Sequence, residues 1–569
     1  MTESKTQSQE KLFALLMEIY GDETIAQPAL EKTLARLATF QKKPQAASHP
    51  LFSEKDITLI TYGDSILEEN TPPLQVLHRF LNRYVKNKLS TVHILPFYPY
   101  SSDDGFSVID YYQVNPELGD WDDVEAIGQD FRMMYDAVIN HMSAKSTWFQ
   151  DFLANKEDFS NLFFTALETD DLTGVTRPRT SPLLTPFTNA LGETRHLWTT
   201  FSADQIDLNY NNSNTLIRIL DVLLFYVERG AEVIRLDAIA YMWKEIGTNS
   251  IHRPQTHAII RFLRAALDVV APQVILITET NVPHPENISY FGDGYDEAQM
   301  VYNFTLPPLL FYSMVTGNAT KLAAWANTLD TPSERTSYFN FTASHDGIGV
   351  RPLEGILPAS ELQILINAVQ DRGGRVSYKR NSDGTDSPYE LNITYLEAMS
   401  NPSHAPHLQQ QAFLTSQAIM LSFAGVPAVY IHSLLGSRNN ISGMEQTGHN
   451  RTINRAKLQY DDLLEALNDP TSERHRIYHD YAKLLEIRRS QEAFYPKATQ
   501  VSKVMNNGQV LWIERGDAPN HLVCLFNVTD QTQTIAHEFR GSTDLLNPES
   551  DSASLHILEP YQTRWIKRI

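Results

Sequence analysis

Four polar segments stand at the ends of short β-branched runs: Asp136-Ala-Val-Ile-Asn-His141, Arg235-Leu-Asp237, Glu279 and Ser344-His-Asp346. Carboxyl groups gathered in this way suit nucleophilic and acid–base work. Retaining glycosyl transfer needs two of them about 5 Å apart, one an ionised nucleophile, the other a proton donor that later acts as base. Asp237 suits the first role. Arg235 lies two residues earlier, on the same side of a strand, and a guanidinium beside a carboxylate lowers its pKa. Glu279 suits the second, because Ile275, Leu276 and Ile277 offer an apolar pocket that would keep it protonated. Asp346 would hold sugar hydroxyls and help distort the ring, while His141 and His345 would donate hydrogen bonds to other hydroxyls.

These residues meet only if strand ends converge. Apolar, β-branched runs at 57–62, 91–96, 133–139, 231–236, 274–278, 300–304, 337–342 and 428–432 alternate with helical patterns. Buried strands alternating with helices predict a parallel sheet, and eight of them predict a closed barrel. The expected fold is α/β: a (β/α)8 TIM barrel with inserted lid subdomains and a C-terminal antiparallel β domain. Residues 1–52 read as a helical extension, with Leu12, Leu15, Leu16 and Ile19 at helical spacing and a polar stretch from Gln41 to Pro50 at its end. Residues 53–488 form the barrel, with insertions at about 142–210 and 347–410, and residues 489–569 the β domain. Intervals this long form lids or subdomains, and both leave the strand ends where barrels place their chemistry. Before the fourth strand, Leu216, Ile217, Leu220, Leu223, Leu224 and Val227 make one helical face, started by Ser213 or Asn214 and stopped by Gly230.

The chain has 569 residues, 42% hydrophobic and 20% charged, with a formal charge of −21. An acidic surface repels phosphate backbones and anionic lipids, so neither nucleic acid nor membrane is an expected partner. Leu12 to Tyr20 contains Glu18 and lacks the basic leader and cleavage site of a signal peptide. The one cysteine, Cys524, forms no intramolecular disulfide, which fits a cytoplasmic location. It sits in the apolar run 521–526 and is expected in a buried strand. There is no Walker loop, His-Glu-X-X-His motif or cysteine cluster, so no cofactor and no metal are expected. Oligomeric state is not legible.

The four segments resemble the four signature regions of the α-amylase clan, glycoside hydrolase family 13, over about residues 55–490. The resemblance implies Asp237 as nucleophile, Glu279 as acid/base and Asp346 as transition-state stabiliser. A closer resemblance is to the sucrose phosphorylase subfamily. It rests on Leu95-Pro-Phe-Tyr-Pro-Tyr-Ser-Ser-Asp-Asp-Gly-Phe106, Gly119-Asp-Trp-Asp-Asp123, Arg177-Pro-Arg179, Phe201 to Asp207, Arg235 to Lys244 and Arg451-Thr-Ile-Asn-Arg455. This implies that Asp103 and Arg451 close a pocket for one glucosyl unit, that Phe106 walls it and that Tyr241 lies near the acceptor. The implied partners are a small α-glucoside and inorganic phosphate. Phosphate must outcompete water, which needs cations at the acceptor side; the candidates are Arg177, Arg179, Arg372, Arg375, Lys379 and Arg380.

The chain departs from sucrose phosphorylases at Asn281, where they carry histidine, in the lid segments 373–378 and 387–393, and in residues 1–52. The first two departures fall at the leaving group. The extended chain and the lid resemble the branch that phosphorolyses glucosylglycerate, whose leaving group is a small anion suited to a basic lid. Sucrose, sucrose 6-phosphate and glucosylglycerol remain alternative donors. So do an α-glucosidase or transglucosidase using the same carboxylates, and a non-catalytic barrel scaffold.

Overall fold

Eight parallel strands close into a barrel in a computed structural model that describes residues 2–41, 51–381 and 383–568. In chain order they are β1 (Thr58–Thr61), β2 (Thr91–Ile94), β3 (Arg132–Ala137), β4 (Ala231–Leu236), β5 (Ile275–Thr278), β6 (Met300–Tyr302), β7 (Ser337–Phe341) and β8 (Val426–Tyr430). Each pairs with its sequence neighbours, and β8 closes on β1. The strands are buried almost throughout because helices cover the outside while side chains fill the inside. Strand β8 begins two residues earlier than its β-branched run suggests, at Val426. Pro427, a residue that usually breaks strands, is tolerated within it opposite Asn340.

Two N-terminal helices, α1 (Thr2–Tyr20) and α2 (Glu23–Ala38), lie against the outer barrel helices α3 (Ser213–Glu228) and α4 (Pro254–Val270). Arg36 on α2 pairs with Asp221 and Glu228 on α3, and Glu18 on α1 pairs with Arg261 on α4. Helix α3 is buried on more than the expected face: Ile219, Val222 and Tyr226 are inaccessible along with Leu216, Leu220 and Leu223, and Tyr226 stacks on Tyr98 beside the barrel, ring centroids 5.1 Å apart. Its cap is Asn212, one residue before the expected pair, whose side-chain oxygen accepts from the Asn214 N–H at 3.0 Å. Gly230, at φ 100°, follows its last turn. Most of the Gln41–Pro50 stretch lies outside the described residues.

The first insertion leaves β3 and returns on itself. His141–Ser143 pairs antiparallel with Gln205–Asp207, and Thr165–Ala166, Thr194–Trp198 and Leu184–Thr188 form a small sheet over Phe164, Val175 and Trp198. The second leaves β7 and builds a three-stranded antiparallel sheet from Ile348–Gly349, Asp386–Asn392 and Arg375–Arg380, with the helix Ala359–Asp371 against it. The C-terminal region forms a five-stranded antiparallel sheet in which Cys524, free and buried, lies opposite Trp565 and Ile513.

Candidate active site

Strand register places the carboxylates. Arg235 on β4 lies directly opposite Asp136 on β3 and Ile277 on β5. The ladder runs past the strand ends, with the Asp237 N–H donating to Ala137 O at 3.1 Å and the Glu279 N–H to Leu236 O at 3.1 Å. Asp237 and Glu279 thus emerge side by side on adjacent strands. The chain then turns at Ala238 with φ 50°, a left-handed conformation rare outside glycine. That turn aims the Ala238 N–H at Glu279 Oε2, 3.1 Å away.

Arg235 is buried beneath both carboxyls. It donates to Asp237 Oδ1 at 2.8 Å and to Asp136, and stands 3.9 Å from Glu279 Oε2. His93 holds the other Asp136 oxygen at 2.7 Å. Burial raises the Asp237 carboxyl well above the usual carboxylate range. Arg235 pulls it down, while the charges of Glu279, Asp136 and Asp346 push it further up. Arg235 acts on the Asp237 pKa in the expected direction, but burial first, and then the neighbouring carboxylates, outweigh it. Burial also raises Glu279, with Arg235 opposing and Asp346 reinforcing. Arg235 contacts Asp237 closely and Glu279 only distantly, so the anion is better stabilised on Asp237 and the proton on Glu279. Asp346 goes the other way. Burial opposes its ionisation, but Arg451, His345 and Arg455 hold it below the usual range; Arg451 Nη1 is 2.8 Å from Asp346 Oδ1.

One cavity is lined by Asp103, Phe106, His141, Arg179, Tyr241, Asn281, His345, Asp346 and Arg451 together with Asp237 and Glu279. Phe106 stacks on His345 with ring centroids 4.7 Å apart and planes 5° from parallel. His141 Nδ1 faces the Asn140 amide at 3.2 Å and Nε2 faces Phe106 O at 2.9 Å, so a neutral ring carries its hydrogen on Nε2. Burial lowers the pKa of both His141 and His345. Asn140 does not line the cavity. It joins Lys244 Nζ (2.9 Å) and Asp207 Oδ2 (3.1 Å) in a buried network, and Lys244 also reaches Asp207 at 2.8 Å.

The six lid cations separate. Arg179 reaches the cavity and lies over two rings, its Cζ 5.5 Å from the Phe201 centroid and 5.2 Å from that of Tyr389. The others are not brought to the cavity lining. Arg372 donates to Ala398 O and packs over Phe311, Arg375 donates to Gly374 O at 3.0 Å, Arg380 pairs with Asp386, and Arg177 donates to Ser181 O. Lys379 is half-buried, and burial together with Arg351 lowers its pKa.

Several lining residues were not singled out from the sequence as site residues: Phe201, Gln205, Thr280, Phe304, Tyr389 and Glu390. Tyr389 and Glu390 are consecutive, yet both face the cavity. Ser377 pairs with Glu390 and Tyr378 with Pro388, so Tyr389 is an extra residue in a β-bulge, a device that re-aims side chains. Gly349 permits the close approach of this lid, since a Cβ there would lie 2.6 Å from the Asn281 amide atoms. Phe201 and Gln205 lie in the returning arm of the first insertion, where Gln205 Nε2 donates to Phe106 O at 3.1 Å.

The family described as “Alpha amylase, catalytic domain” matches residues 83–350. The chain is 45% identical over 559 residues to a glucosylglycerate phosphorylase from Escherichia coli (strain K12), covering 98% of this chain and 100% of that one. It is 48% identical over 527 residues to a glucosylglycerate phosphorylase from Spirochaeta thermophila, covering 91% and 89% respectively. Among solved structures, the sucrose 6F-phosphate phosphorylase from Thermoanaerobacter thermosaccharolyticum superposes with a TM-score of 0.74 at 25% identity, covering 85% of this chain and 96% of that one.

Proposed function

The chain belongs to the α-amylase family, alongside the glucosylglycerate phosphorylases, and from that premise we propose that it phosphorolyses 2-O-α-D-glucosyl-D-glycerate to α-D-glucose 1-phosphate and D-glycerate. The observation that carries this reading is the single cavity with Asp237 and Glu279 in its wall and Arg179 among its lining residues. The reaction is a double displacement with retention. Asp237 attacks the anomeric carbon while Glu279 gives its proton to the departing glycerate oxygen. A phosphate oxygen then attacks the same carbon from the vacated side. The bond to Asp237 breaks, and Glu279 takes the proton lost by phosphate.

Asp346 is held as an anion by Arg451 and so stabilises positive charge developing on the sugar ring. Phe106 supplies an apolar wall and Asp103 binds sugar hydroxyls, while both ring nitrogens of His141 are already engaged by Asn140 and Phe106 O. Arg179, fixed between Phe201 and Tyr389, is the cation best positioned for an anion, since its guanidinium is pre-oriented by the rings. Asn281 lines the cavity on the side proposed for the leaving group, with its amide end packed against Gly349.

No helix among the described residues is long and apolar enough to cross a membrane. A cytoplasmic site of action fits the free, buried Cys524.

A donor screen in phosphate buffer tests the assignment: glucosylglycerate, sucrose, glucosylglycerol and sucrose 6-phosphate, each read as glucose 1-phosphate formed. Glucosylglycerate should give the highest kcat/KM. A higher value for any of the other three would replace glycerate as the leaving group.

A further inference from the structure

The turn that carries Asp103 is held in a backbone conformation that its residues disfavour. Asp103, Asp104 and Gly105 have φ values of 53°, 47° and 111° in succession. Only the third is glycine, and a Cβ there would lie 2.6 Å from Pro96 O. Consecutive non-glycine residues in the left-handed region persist only where their surroundings over-determine them.

The surroundings here centre on one carboxylate from the first insertion. Asp204 Oδ2 accepts from the hydroxyls of Ser101, Ser102 (2.5 Å) and Ser107 (2.9 Å). Its Oδ1 accepts from the Ala144 N–H at 3.2 Å, and its main-chain oxygen accepts from Ser107 Oγ at 2.8 Å. The three serines bracket the turn, whose neck is closed by the Ser101 N–H donating to Ser107 O at 3.1 Å. On the far side Arg455 Nη1 donates to Asp104 Oδ2 at 2.6 Å. Ser107 has one hydroxyl hydrogen, shared between Oδ2 and the main-chain oxygen of Asp204, so the acceptor oxygens of this one residue gather all three serines.

We propose that Asp204 is a positioning residue for the glucosyl subsite. It acts through Ser101, Ser102 and Ser107 to hold the 103–105 turn, so that Asp103 and Phe106 face the cavity. This rests on the reading of Asp103 and Phe106 as glucosyl-subsite residues. The subsite is shared by every donor, so loss of Asp204 penalises all donors alike and leaves leaving-group preference intact.

The test uses the full chain with Asp204→Ala, Asp204→Asn and, in parallel, Asp103→Asn. The first readout is the dissociation constant of 1-deoxynojirimycin, a probe that fills a glucosyl subsite alone. The second is the ratio of kcat/KM between glucosylglycerate and α-glucosyl fluoride. Asp204→Ala should weaken the probe by about 100-fold, the scale expected for a misplaced contact, with the donor ratio unchanged and Asp204→Asn intermediate. A merely structural role would lower the unfolding temperature and leave probe affinity unchanged well below it. Unchanged affinity in Asp204→Ala overturns the proposal, as does a changed donor ratio. Should Asp204→Ala fail to fold, the triple variant Ser101→Ala/Ser102→Ala/Ser107→Ala removes the same bonds and is held to the same two outcomes. Weak probe binding in Asp103→Asn with normal binding in Asp204→Ala would sink the positioning role while keeping the subsite reading. The reverse pattern would sink the role of Asp103 and assign the effect of Asp204 to Phe106.

Discussion

Arg451 and Glu390 form a two-pronged ion pair, with Nε donating to Oε2 at 3.1 Å and Nη2 to Oε1, while Arg451 Nη1 reaches Asp346 at 2.8 Å. The guanidinium thereby ties the second lid to Asp346, the carboxylate proposed to stabilise the transition state, and Glu390 is almost wholly buried. Removing one partner of a buried charge pair leaves the other uncompensated. Glu390→Gln is expected to lower kcat/KM by roughly 30-fold or more, the scale of about 2 kcal/mol or above for such truncations. Steady-state kinetics with glucosylglycerate and phosphate check this, and an unchanged kcat/KM would remove Glu390 from the site's architecture.

The crowding around Asp237 has a stability cost at neutral pH. Its folded pKa is raised, so the fold favours its protonated form; stability is greatest below the ordinary carboxylate pKa and is lost as pH rises through the raised value. Asp237→Asn should therefore abolish turnover yet raise the unfolding midpoint at pH 7 by on the order of 2 °C. Calorimetry of both proteins measures this. A lower midpoint for the variant would show that the ion pair to Arg235 outweighs the crowding.

Glu279 is needed only when the departing oxygen requires a proton. Glu279→Ala should lose about 100- to 10,000-fold in glycosylation by glucosylglycerate, but far less with α-glucosyl fluoride, whose leaving group needs no proton. Single-turnover rates with the two donors separate these cases. Equal losses on both would assign the proton to another group.

Arg179 is held by two aromatic faces, and lysine cannot reproduce that geometry. Arg179→Lys should raise the KM for phosphate by about 10-fold and increase the fraction of glucosyl-enzyme lost to water as glucose. Product analysis at fixed phosphate decides between this and a purely structural packing role, which would leave the glucose fraction unchanged.

Acid sensitivity should be set in part outside the site. Burial pushes His432 from 6.5 to about 3, and its Nδ1 lies 3.0 Å from Ser437 Oγ. The fold thus favours the neutral ring. Its contribution is complete above about pH 6.5 and is lost as pH falls toward 3. The unfolding midpoint should drop between pH 6.5 and 4, and His432→Asn should flatten that slope. An unaltered slope would assign the acid sensitivity to other groups.

The barrel and its carboxylates were legible because their signals are local. Runs such as Ala231–Leu236 are largely apolar and buried, and a parallel register carries Asp237 and Glu279 to neighbouring strand ends. The lid was less legible for the opposite reason. Tyr389 and Glu390 reach the cavity through a bulge that no periodicity marks. Arg372 and Arg179 look alike as charged residues, and only tertiary packing sends one to Ala398 O and the other between two rings. The same holds for Asp237, whose proton affinity depends on carboxylates contributed by β3, β5 and the segment after β7. Helix α3 showed one apolar face in the sequence, but neither its ion pairs to α2 nor the further buried residues, such as Tyr226 on Tyr98.

The most direct measurement is glucosylglycerate turnover with and without phosphate, followed by 31P and 1H NMR. The mechanism predicts α-D-glucose 1-phosphate and D-glycerate in equal amounts, formed only when phosphate is present, with glucose a minor product. Glucose released at the same rate in both conditions, or a β-configured phosphate ester, would contradict a retaining phosphorolysis at Asp237 and Glu279.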